Sequence, residues 1–317
     1  MRKLLFIVAV LSFFITISAK GQNNTAITFK LFRFGPKGKE KPAVEYPDGR
    51  RLDVSSFGAD YNEAFFSSGG IAKLQQWLES NETKCPKVKS SQRTGSCVAR
   101  PSKIVGIGLN YRDHAKESGL NAPAEPVIFL KASTSLSGPN DGIPVPEHST
   151  KLDWEVELAI VIGKRALNIS EVDAPTYIAG YCIANDVSER SFQLEGTGQW
   201  TKGKSFDGFC PLGPYLVPAN QVNNVQDLSL TLSVNGATKQ SSNTSEMIFK
   251  VNYLVSYVSR FMTLLPGDVI VTGTPAGVGH GSKPPVYLKV GDELNLTIDK
   301  LGSQRQKVIP FAEMNSD

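Results

Sequence analysis

From residue 101 onward the chain is a series of short apolar segments, most of them interrupted or ended by Gly and Pro. These segments are KIVGIGLNY, AIVIG, YCIAND, PYLVP, LSLTLSVNG, DVIVTGTP and DELNLTI. Helical patterns are few, and the longest is EMIFKVNYLVSYVSRFM. Many short strands with so little helix argue against a doubly wound α/β sheet and favour a β-rich sandwich or barrel-like domain. We therefore expect an α+β, β-rich fold over residues 101–317.

The N-terminal part has a different pattern. AITFKLFRF alternates apolar and polar residues as a half-buried strand does, and GIAKLQQWLES has the spacing of a short amphipathic helix. We interpret residues 22–82 as a small α+β domain and the polar, aperiodic residues 83–100 as a linker. With 317 residues and 40% hydrophobic content, the chain is long enough for this domain and one large one.

Residues 1–21 have the pattern of a secretory signal peptide. Two basic residues precede an unbroken apolar run from Leu4 to Ile15, and the small residues Ser18, Ala19 and Gly21 follow. The alternatives are a short membrane anchor and a mitochondrial presequence, but a presequence is an amphipathic, Arg-rich helix, whereas this segment is apolar all round. We expect secretory entry, with membrane contact only through an uncleaved leader, and keep a mitochondrial location as the alternative.

Charge and cysteine content bear on two further classes of protein. The net charge of +4 is scattered, with no basic stripe interleaved with aromatic residues, so we do not expect a nucleic-acid partner. Four cysteines are too few for a disulfide scaffold, although Cys85 and Cys97 could close a surface loop in an oxidising compartment. Cys182 and Cys210 are expected to be buried free thiols. On a secretory route, sequons begin at Asn23, Asn81, Asn168, Asn243 and Asn295.

The segment DWEVELAIVIGK places two carboxylates on one face of a predicted strand. With a period of two, Trp154, Val156 and Leu158 share one face, and Glu155 and Glu157 share the other. Burying either carboxylate alone costs several kcal/mol, so the fold must either expose this face or supply a cation. Solvent exposure on an antiparallel sheet is the commoner arrangement.

A third carboxylate, Asp186, ends the next apolar strand, GYCIAND, at the kind of position where sites collect. Together with Glu155 and Glu157 it forms an all-oxygen set. Such a set suits a hard cation such as Mg²⁺, Mn²⁺ or Ca²⁺ and suits Zn²⁺ poorly.

Three further segments carry candidate catalytic residues. In NYRDHAKE, His114 and Glu117 share a helix face, so that Glu117 can orient the imidazole as a general base requires; an exposed ion pair is the alternative. Lys204 lies in the Gly-flanked GKSFDGFCPLGP, where it could stabilise an enolate, although surface lysines are far commoner. Thr274 and the loop amides of TGTPAGVG could hold a substrate carboxylate, whereas the missing P-loop Lys argues against a nucleotide.

These segments together resemble the fumarylacetoacetate hydrolase family over roughly the last two thirds of the chain. NYRDHAKE, DWEVELAIVIGK, NDVSER, GKSFDGFCPLGP and PGDVIVTGTPAGVG occur in the family's order, and KPPVYLKVGDEL extends the resemblance toward one subgroup. The resemblance implies a mixed β-sandwich roll, preceded by a small α+β domain and usually dimeric.

The resemblance also implies roles for individual residues. A Mg²⁺ or Mn²⁺ ion is expected on Glu155, Glu157 and Asp186, with Lys204 beside it. His114 and Glu117 match the dyad that positions water or moves a proton. The positions that hold the carboxylate or oxo groups of the substrate are matched by Arg190, Gln193 and Thr274.

Two departures from the family pattern stand out. In DVSERSFQ, Glu189 replaces a small residue and Ser191 replaces an acid, and the loss of this acid is expected to change how Arg190 is oriented. A further metal-binding Asp upstream of the catalytic His is missing before His114, so a water is expected to complete the coordination.

The resemblance implies a metal-dependent enzyme that acts on a small 2-oxo acid or β-dicarbonyl acid through an enolate. We expect keto–enol tautomerisation of oxaloacetate, with C–C hydrolysis of acylpyruvates as the runner-up and oxaloacetate decarboxylation as a further alternative. A secreted, non-catalytic binding protein built on the same fold is the hypothesis of another class.

Overall fold

The computed structural model describes residues 28–117, 119 and 121–314. The predicted leader, Asn23 and most of the region before the first strand lie outside these residues. The helices of the described part are α1 (Glu63–Ser67), α2 (Gly70–Asn81), α3 (Arg112–Glu117), α4 (Arg190–Leu194), α5 (Trp200–Lys204) and α6 (Val251–Phe261). None of them is long and apolar enough to cross a bilayer.

The strands of the same residues follow one another at short intervals along the chain. They are β1 (Lys30–Phe34), β2 (Lys41–Glu45), β3 (Arg51–Asp53), β4 (Thr94–Gly95), β5 (Ile104–Gly108), β6 (Val127–Lys131), β7 (Leu136–Ser137), β8 (Ile143–Val145), β9 (Leu152–Asp153), β10 (Val156–Ile162), β11 (Ile178–Asn185), β12 (Ser188–Glu189), β13 (Cys210–Pro218), β14 (Ser229–Val234), β15 (Ala237–Asn243), β16 (Val269–Val271), β17 (Glu293–Ile298) and β18 (Gly302–Pro310). The predicted α+β, β-rich fold is confirmed.

Two sheets form most of the molecule. The larger has the order β3-β2-β1-β13-β11-β10-β16-β5-β6, with β4 paired to β1 and β7 paired to β13, and the smaller has the order β15-β14-β17-β18-β8. Leu and Ile side chains of β14 and β17 pack with α6 against one face of the larger sheet. On its other face, Phe65, Leu74 and Leu78 of α1 and α2 close a second apolar core. Strand β10, between β11 and β16, therefore has apolar cores on both faces.

The N-terminal strands are one end of the larger sheet, because Leu31 of β1 pairs with Leu216 of β13. Residues 83–100, predicted to be a linker, are packed against the body of the protein over their second half. Thr94 and Gly95 pair with β1, and Cys97 is fully buried. Because the segment is mostly polar, its sequence pattern did not indicate that residues 95–99 are buried. The domain boundaries that we inferred from the sequence remain a prediction.

The cysteines differ in part from the sequence interpretation. Cys182 and Cys210 are buried free thiols, as predicted. Cys85 and Cys97 are also free and buried, and they do not close a surface loop. The thiol of Cys85 donates to the Asn81 carbonyl 3.4 Å away, whereas Cys97 lies with Cys182 of β11 in the second apolar core. The bridge that the sequence allowed between Cys85 and Cys97 is therefore absent from this structure.

Candidate active site

Three buried carboxylates meet where β10 begins and β11 ends. The two strands are antiparallel, and Val156 pairs with Asn185, which brings Glu155 and Glu157 beside Asp186. One oxygen of each carboxylate lies within 4.8 Å of the others. Glu155 is 5% exposed, Glu157 1% and Asp186 0%, so the alternative of two solvent-facing glutamates is wrong for this structure. Three oxygen ligands at this spacing fit a hard divalent cation.

Buried cations surround two of these carboxylates. The Lys204 Nζ donates to Glu155 Oε2 at 2.7 Å and to Asp186 Oδ2 at 2.8 Å. Arg190 Nη2 donates to Glu155 Oε1 at 2.6 Å, and Lys131 Nζ donates to Asp186 Oδ1 at 2.5 Å. Each oxygen of Glu155 and Asp186 thus accepts a hydrogen bond from a cationic group.

Glu157 has no cation of its own among these contacts. Its Oε2 accepts one hydrogen bond, from the Gly273 amide at 2.7 Å. Burial and the nearby charges of Asp186 and Glu155 raise the pKa of Glu157 well above its ordinary range. Burial also opposes ionisation of Glu155, but Lys204 and Arg190 outweigh it and hold the pKa of Glu155 well below its usual range. The donor set therefore lacks positive charge at Glu157, where a divalent cation would supply it.

Sequence reasoning missed Lys131. Its side chain is fully buried, and its Nζ also donates to the carbonyl of Lys204. The signal was present in VIFLK, where Phe129 and Lys131 share the buried face of β6 and Leu130 is exposed. A lysine on the inward face of a strand needs a carboxylate partner, and the fold provides Asp186.

His114 and Glu117 meet as their spacing on α3 predicts. The distance from His114 Nδ1 to Glu117 Oε2 is 3.3 Å. The Gly277 amide donates to both oxygens of Glu117, at 3.0 and 3.2 Å, and thereby fixes the carboxylate that orients the imidazole. His114 is 8% exposed and, with Glu117, lines the same cavity as Glu155 and Glu157.

Arg190 is oriented by an acid that sequence reasoning did not single out. Its Nε donates to Asp153 Oδ2 at 2.9 Å, and its Nη1 donates to Gln193 Oε1 at 2.9 Å. Asp153 also accepts from the Gly279 and His280 amides, at 2.7 and 3.0 Å. Asp153 of β9 therefore orients Arg190 in this chain, and the expected change of orientation relative to the family stays a prediction.

Glu189, the other departure from the family pattern, has a structural role. It is fully buried and is the N-cap residue of α4, where its Oε1 accepts from the Ser191 amide at 3.1 Å and hydroxyl at 2.6 Å. It also accepts from the Lys151 amide at 2.9 Å. These bonds fix the turn from β12 into α4, which carries Arg190 and Gln193.

Thr274 lines the cavity, but its hydroxyl is already engaged. It donates to the Val156 carbonyl at 2.9 Å and accepts from Gln240 Nε2 at 2.8 Å. The expected role of its hydroxyl as a donor to a substrate carboxylate is not supported, because the only proton is used. This side-chain contact attaches the loop that follows β16 to Val156, the first residue of β10.

Most of the site's side chains line one cavity of about 410 Å³, whereas Asp186 and Lys131 are not part of its lining. Its charged end contains Glu155, Glu157, His114, Lys204 and Arg190. The apolar residues of the lining are Ile107, Leu109, Phe129, Leu194, Trp200, Val278 and Pro285.

Comparison with known proteins identifies the architecture. A Burkholderia multivorans protein with a provisional hydrolase name is 50% identical over 278 residues, which are 87% of this chain and 98% of that protein. The structure of fumarylacetoacetate hydrolase from Exiguobacterium antarcticum is similar, with a TM-score of 0.79 and 36% identity over 89% of this chain and 100% of the other.

Two further solved structures are similar over nearly their whole length. 2-Hydroxyhepta-2,4-diene-1,7-dioate isomerase from Mycobacterium marinum has a TM-score of 0.69 and 33% identity, over 89% of this chain and 99% of the other. Maleylpyruvate hydrolase from Sphingobium sp. SYK-6, solved with manganese(II) and pyruvate, has a TM-score of 0.74 and 28% identity, over 89% and 99%. Residues 103–309 match the model of the fumarylacetoacetate hydrolase C-terminal domain, and the chain therefore belongs to this family of hydrolases and isomerases.

Proposed function

We propose that the chain is a divalent-metal-dependent enzyme that generates and stabilises the enolate of a small 2-oxo acid. The observation that carries this proposal is Glu157, a buried carboxylate that forms no ion pair with the described residues, beside two carboxylates that do. Mg²⁺ or Mn²⁺ suits these oxygen ligands, and Ca²⁺ also fits. When bound, such an ion supplies Lewis-acid charge to the oxygens of a 2-oxo acid.

The protein groups divide the remaining work. His114, oriented by Glu117, moves a proton to or from the carbon next to the keto group. Lys204 places positive charge at the carboxylate cluster, where negative charge develops on the substrate oxygens. Arg190 retains guanidinium N–H groups beyond its three protein contacts, and these groups, with the Gln193 amide, hold the substrate carboxylate.

Keto–enol tautomerisation of oxaloacetate is the first reaction that we propose. It needs a metal-polarised 2-oxo acid and a single proton-transfer group, which this site provides as the His114–Glu117 dyad. The similarity to a dioate isomerase supports the proposal that this chain catalyses an isomerisation.

C–C hydrolysis of a longer 2-oxo acid is the second candidate. The cavity of about 410 Å³ is in the range of pockets that hold ligands much larger than a four-carbon acid. The similarity to maleylpyruvate hydrolase with bound manganese and pyruvate also favours this candidate. The dyad would then activate water rather than shuttle a substrate proton.

The test is the rate of ketonisation of enol-oxaloacetate by purified Mg²⁺-loaded protein. His114→Asn is expected to lower this rate about 100-fold or more. His148→Asn is the matched control, because His148 is exposed and its positive φ tolerates Asn. Catalysis that is equal in both variants would refute the role of the dyad. Release of pyruvate from acetylpyruvate with no effect on oxaloacetate would replace the first reaction by the second.

Metal binding separates any such enzyme from a non-catalytic binding protein. We expect the chelator-treated protein to bind Mg²⁺ or Mn²⁺ in calorimetry. The absence of such binding would favour the non-catalytic alternative.

We further propose a homodimer in the secretory pathway. Sedimentation analysis tests the dimer, and glycosidase sensitivity of the intact chain expressed in cells tests the location. Of the sequons within the described residues, Asn168 and Asn295 are exposed. An unmodified protein in the mitochondrial matrix would overturn the secretory location.

A further inference from the structure

One side of the cavity is an aromatic wall, formed by Phe129 of β6 and Trp200 of α5. The two ring centroids are 5.6 Å apart and the rings are tilted by 59°. Phe129 is buried and Trp200 is half-buried, and both line the cavity. The proposed chemistry gives no role to either ring.

Two glycines of β5 make room for this wall. A Cβ at Gly106 would lie 2.2 Å from Cζ of Phe129, and a Cβ at Gly108 would lie 2.4 Å from Cζ3 of Trp200. Neither glycine has the positive φ that would by itself require Gly. The two rings occupy the space that side chains at positions 106 and 108 would need, which explains why both positions are glycine.

The wall is continuous with the charged end of the cavity. The Lys204 Nζ, which contacts Glu155 and Asp186, lies 5.3 Å from the centroid of the Phe129 ring. Trp200 and Lys204 are four residues apart on α5, so they share one face of that helix. A molecule whose head group contacts Lys204 would place its next substituent against Phe129 and then Trp200.

His280 and Lys283 also line the cavity, and both are exposed to solvent. The His280 Nδ1 lies 2.9 Å from the Tyr287 hydroxyl, and desolvation and the charge of Arg190 lower the pKa of His280. Apart from Arg190 and Lys204, the described residues of the cavity lining therefore offer no buried Lys or Arg for a second carboxylate. Val278 and Pro285 continue the apolar lining.

We propose that the aromatic wall is a binding subsite for a planar apolar substituent of the substrate. The preferred substrate class is then a 2-oxo acid that carries an aryl or similar group beyond its enolisable carbon, as an aroylpyruvate does. Oxaloacetate fills only the charged end. This inference rests on the proposed function for the position of the 2-oxo acid head, and it adds the choice of tail.

The experiment compares benzoylpyruvate with acetylpyruvate, which differ by a phenyl for a methyl group. With Mg²⁺-loaded protein we expect kcat/KM to be about tenfold or more higher for benzoylpyruvate, whether the reaction is tautomerisation or cleavage. Trp200→Leu is expected to reduce this ratio about tenfold, and Trp200→Phe to retain most of it. Gly108→Ala, whose Cβ displaces the Trp200 ring, is expected to act like Trp200→Leu.

Trp77→Leu is the matched control, because Trp77 packs on Phe57 in the N-terminal part and does not line the cavity. It is expected to leave the ratio unchanged. Thermal unfolding checks that each variant is folded, and Trp200→Phe keeps the test valid if Gly108→Ala does not fold.

Three results would overturn the inference and leave the proposed function standing. These are a wild-type ratio near one, a high ratio that Trp200→Leu and Gly108→Ala do not change, and a higher kcat/KM for the dicarboxylic maleylpyruvate than for benzoylpyruvate. Inactivity on all these substrates and on oxaloacetate would refute the proposed function. Calorimetric binding of benzoylpyruvate and acetylpyruvate would then decide the inference by the same ratio.

Discussion

The two faces of β10 are equally buried and differ in what covers them. Val156 and Leu158 pack into the apolar core between the two sheets. Glu157 lies on the opposite face, where it accepts from the Gly273 amide beside Glu155 and Asp186. Ala159 and Val161 follow it on that face and pack into the second apolar core. Burial alone therefore does not distinguish a core residue from a metal ligand. The distinction lies in whether the neighbouring side chains are apolar or charged.

Removal of a cation from the charged face is expected to have the largest effect. Lys131→Met leaves Asp186 buried with Lys204 as its remaining cation, and we expect a loss of about 3–5 kcal/mol in the free energy of unfolding of the metal-free protein. Saturating Mg²⁺ should recover part of this loss because the ion replaces the missing charge. Chemical denaturation with and without Mg²⁺ measures both.

Lys103→Met is the control for that variant. Lys103 pairs with the buried Asp268, whose oxygens also accept from Ser102 and from backbone amides outside the site. Mg²⁺ should not restore stability to this variant. Equal recovery in the two would show that Lys131 has no specific relation to the metal site.

A cavity created on the apolar face of β10 is expected to have the next largest effect on stability. Leu158→Ala removes a fully buried side chain between the sheets, and we expect a loss of about 3 kcal/mol in the free energy of unfolding. Unlike Lys131→Met, this loss should be the same with and without Mg²⁺. A Mg²⁺-dependent loss would mean that the two faces are not independent.

A third variant removes the charge of Glu157, the carboxylate that forms no ion pair with the described residues, and tests the charged face directly. Glu157→Gln keeps the shape of the side chain and is expected to weaken Mg²⁺ binding about 100-fold, or about 2.7 kcal/mol, in calorimetry. The metal-free protein should be no less stable than wild type above neutral pH, because the variant removes a buried carboxylate that forms no ion pair within the described part of the chain. A clear destabilisation of the metal-free variant would contradict this account of Glu157.

The pH dependence of stability is expected to have opposite signs at the two glutamates. The raised pKa of Glu157 means that the metal-free folded state holds a proton that the unfolded chain releases near the ordinary pKa of 4.5. Its contribution to stability is therefore present at low pH and is lost as the pH rises through the raised pKa. The lowered pKa of Glu155 contributes stability above 4.5 that is lost as the pH falls through its own pKa.

Metal binding requires Glu157 to be ionised, so Mg²⁺ affinity should rise by up to about tenfold per pH unit below its raised pKa. Calorimetry in buffers of different ionisation enthalpy measures the proton released on binding. The difference between wild type and Glu157→Gln isolates the part that Glu157 contributes. A wild-type affinity with the same pH slope as that of the variant would show that Glu157 binds the ion without releasing a proton.

Several parts of the site could be predicted because they depend on local spacing. The period of two assigned Glu157 of β10 and Glu155, the residue just before this strand, to one face, and the three-residue spacing joined His114 to Glu117. Lys131 and Asp153 could not be assigned in this way. Lys131 meets Asp186 across 55 residues, and Asp153 meets Arg190 across 37, so their roles depend on which strands and helices the fold brings together.

The sequence by itself determined the strand-rich architecture, the residues that share each face and, through its resemblance to a known family, the carboxylate set. Only the tertiary structure decided that the charged face of β10 is buried, that the Thr274 hydroxyl is occupied and that Gly106 and Gly108 lie under an aromatic wall. The physical reason is that periodicity reports which side chains point together along one element. Burial, ionisation and cavity shape depend on elements distant in the chain that cover them.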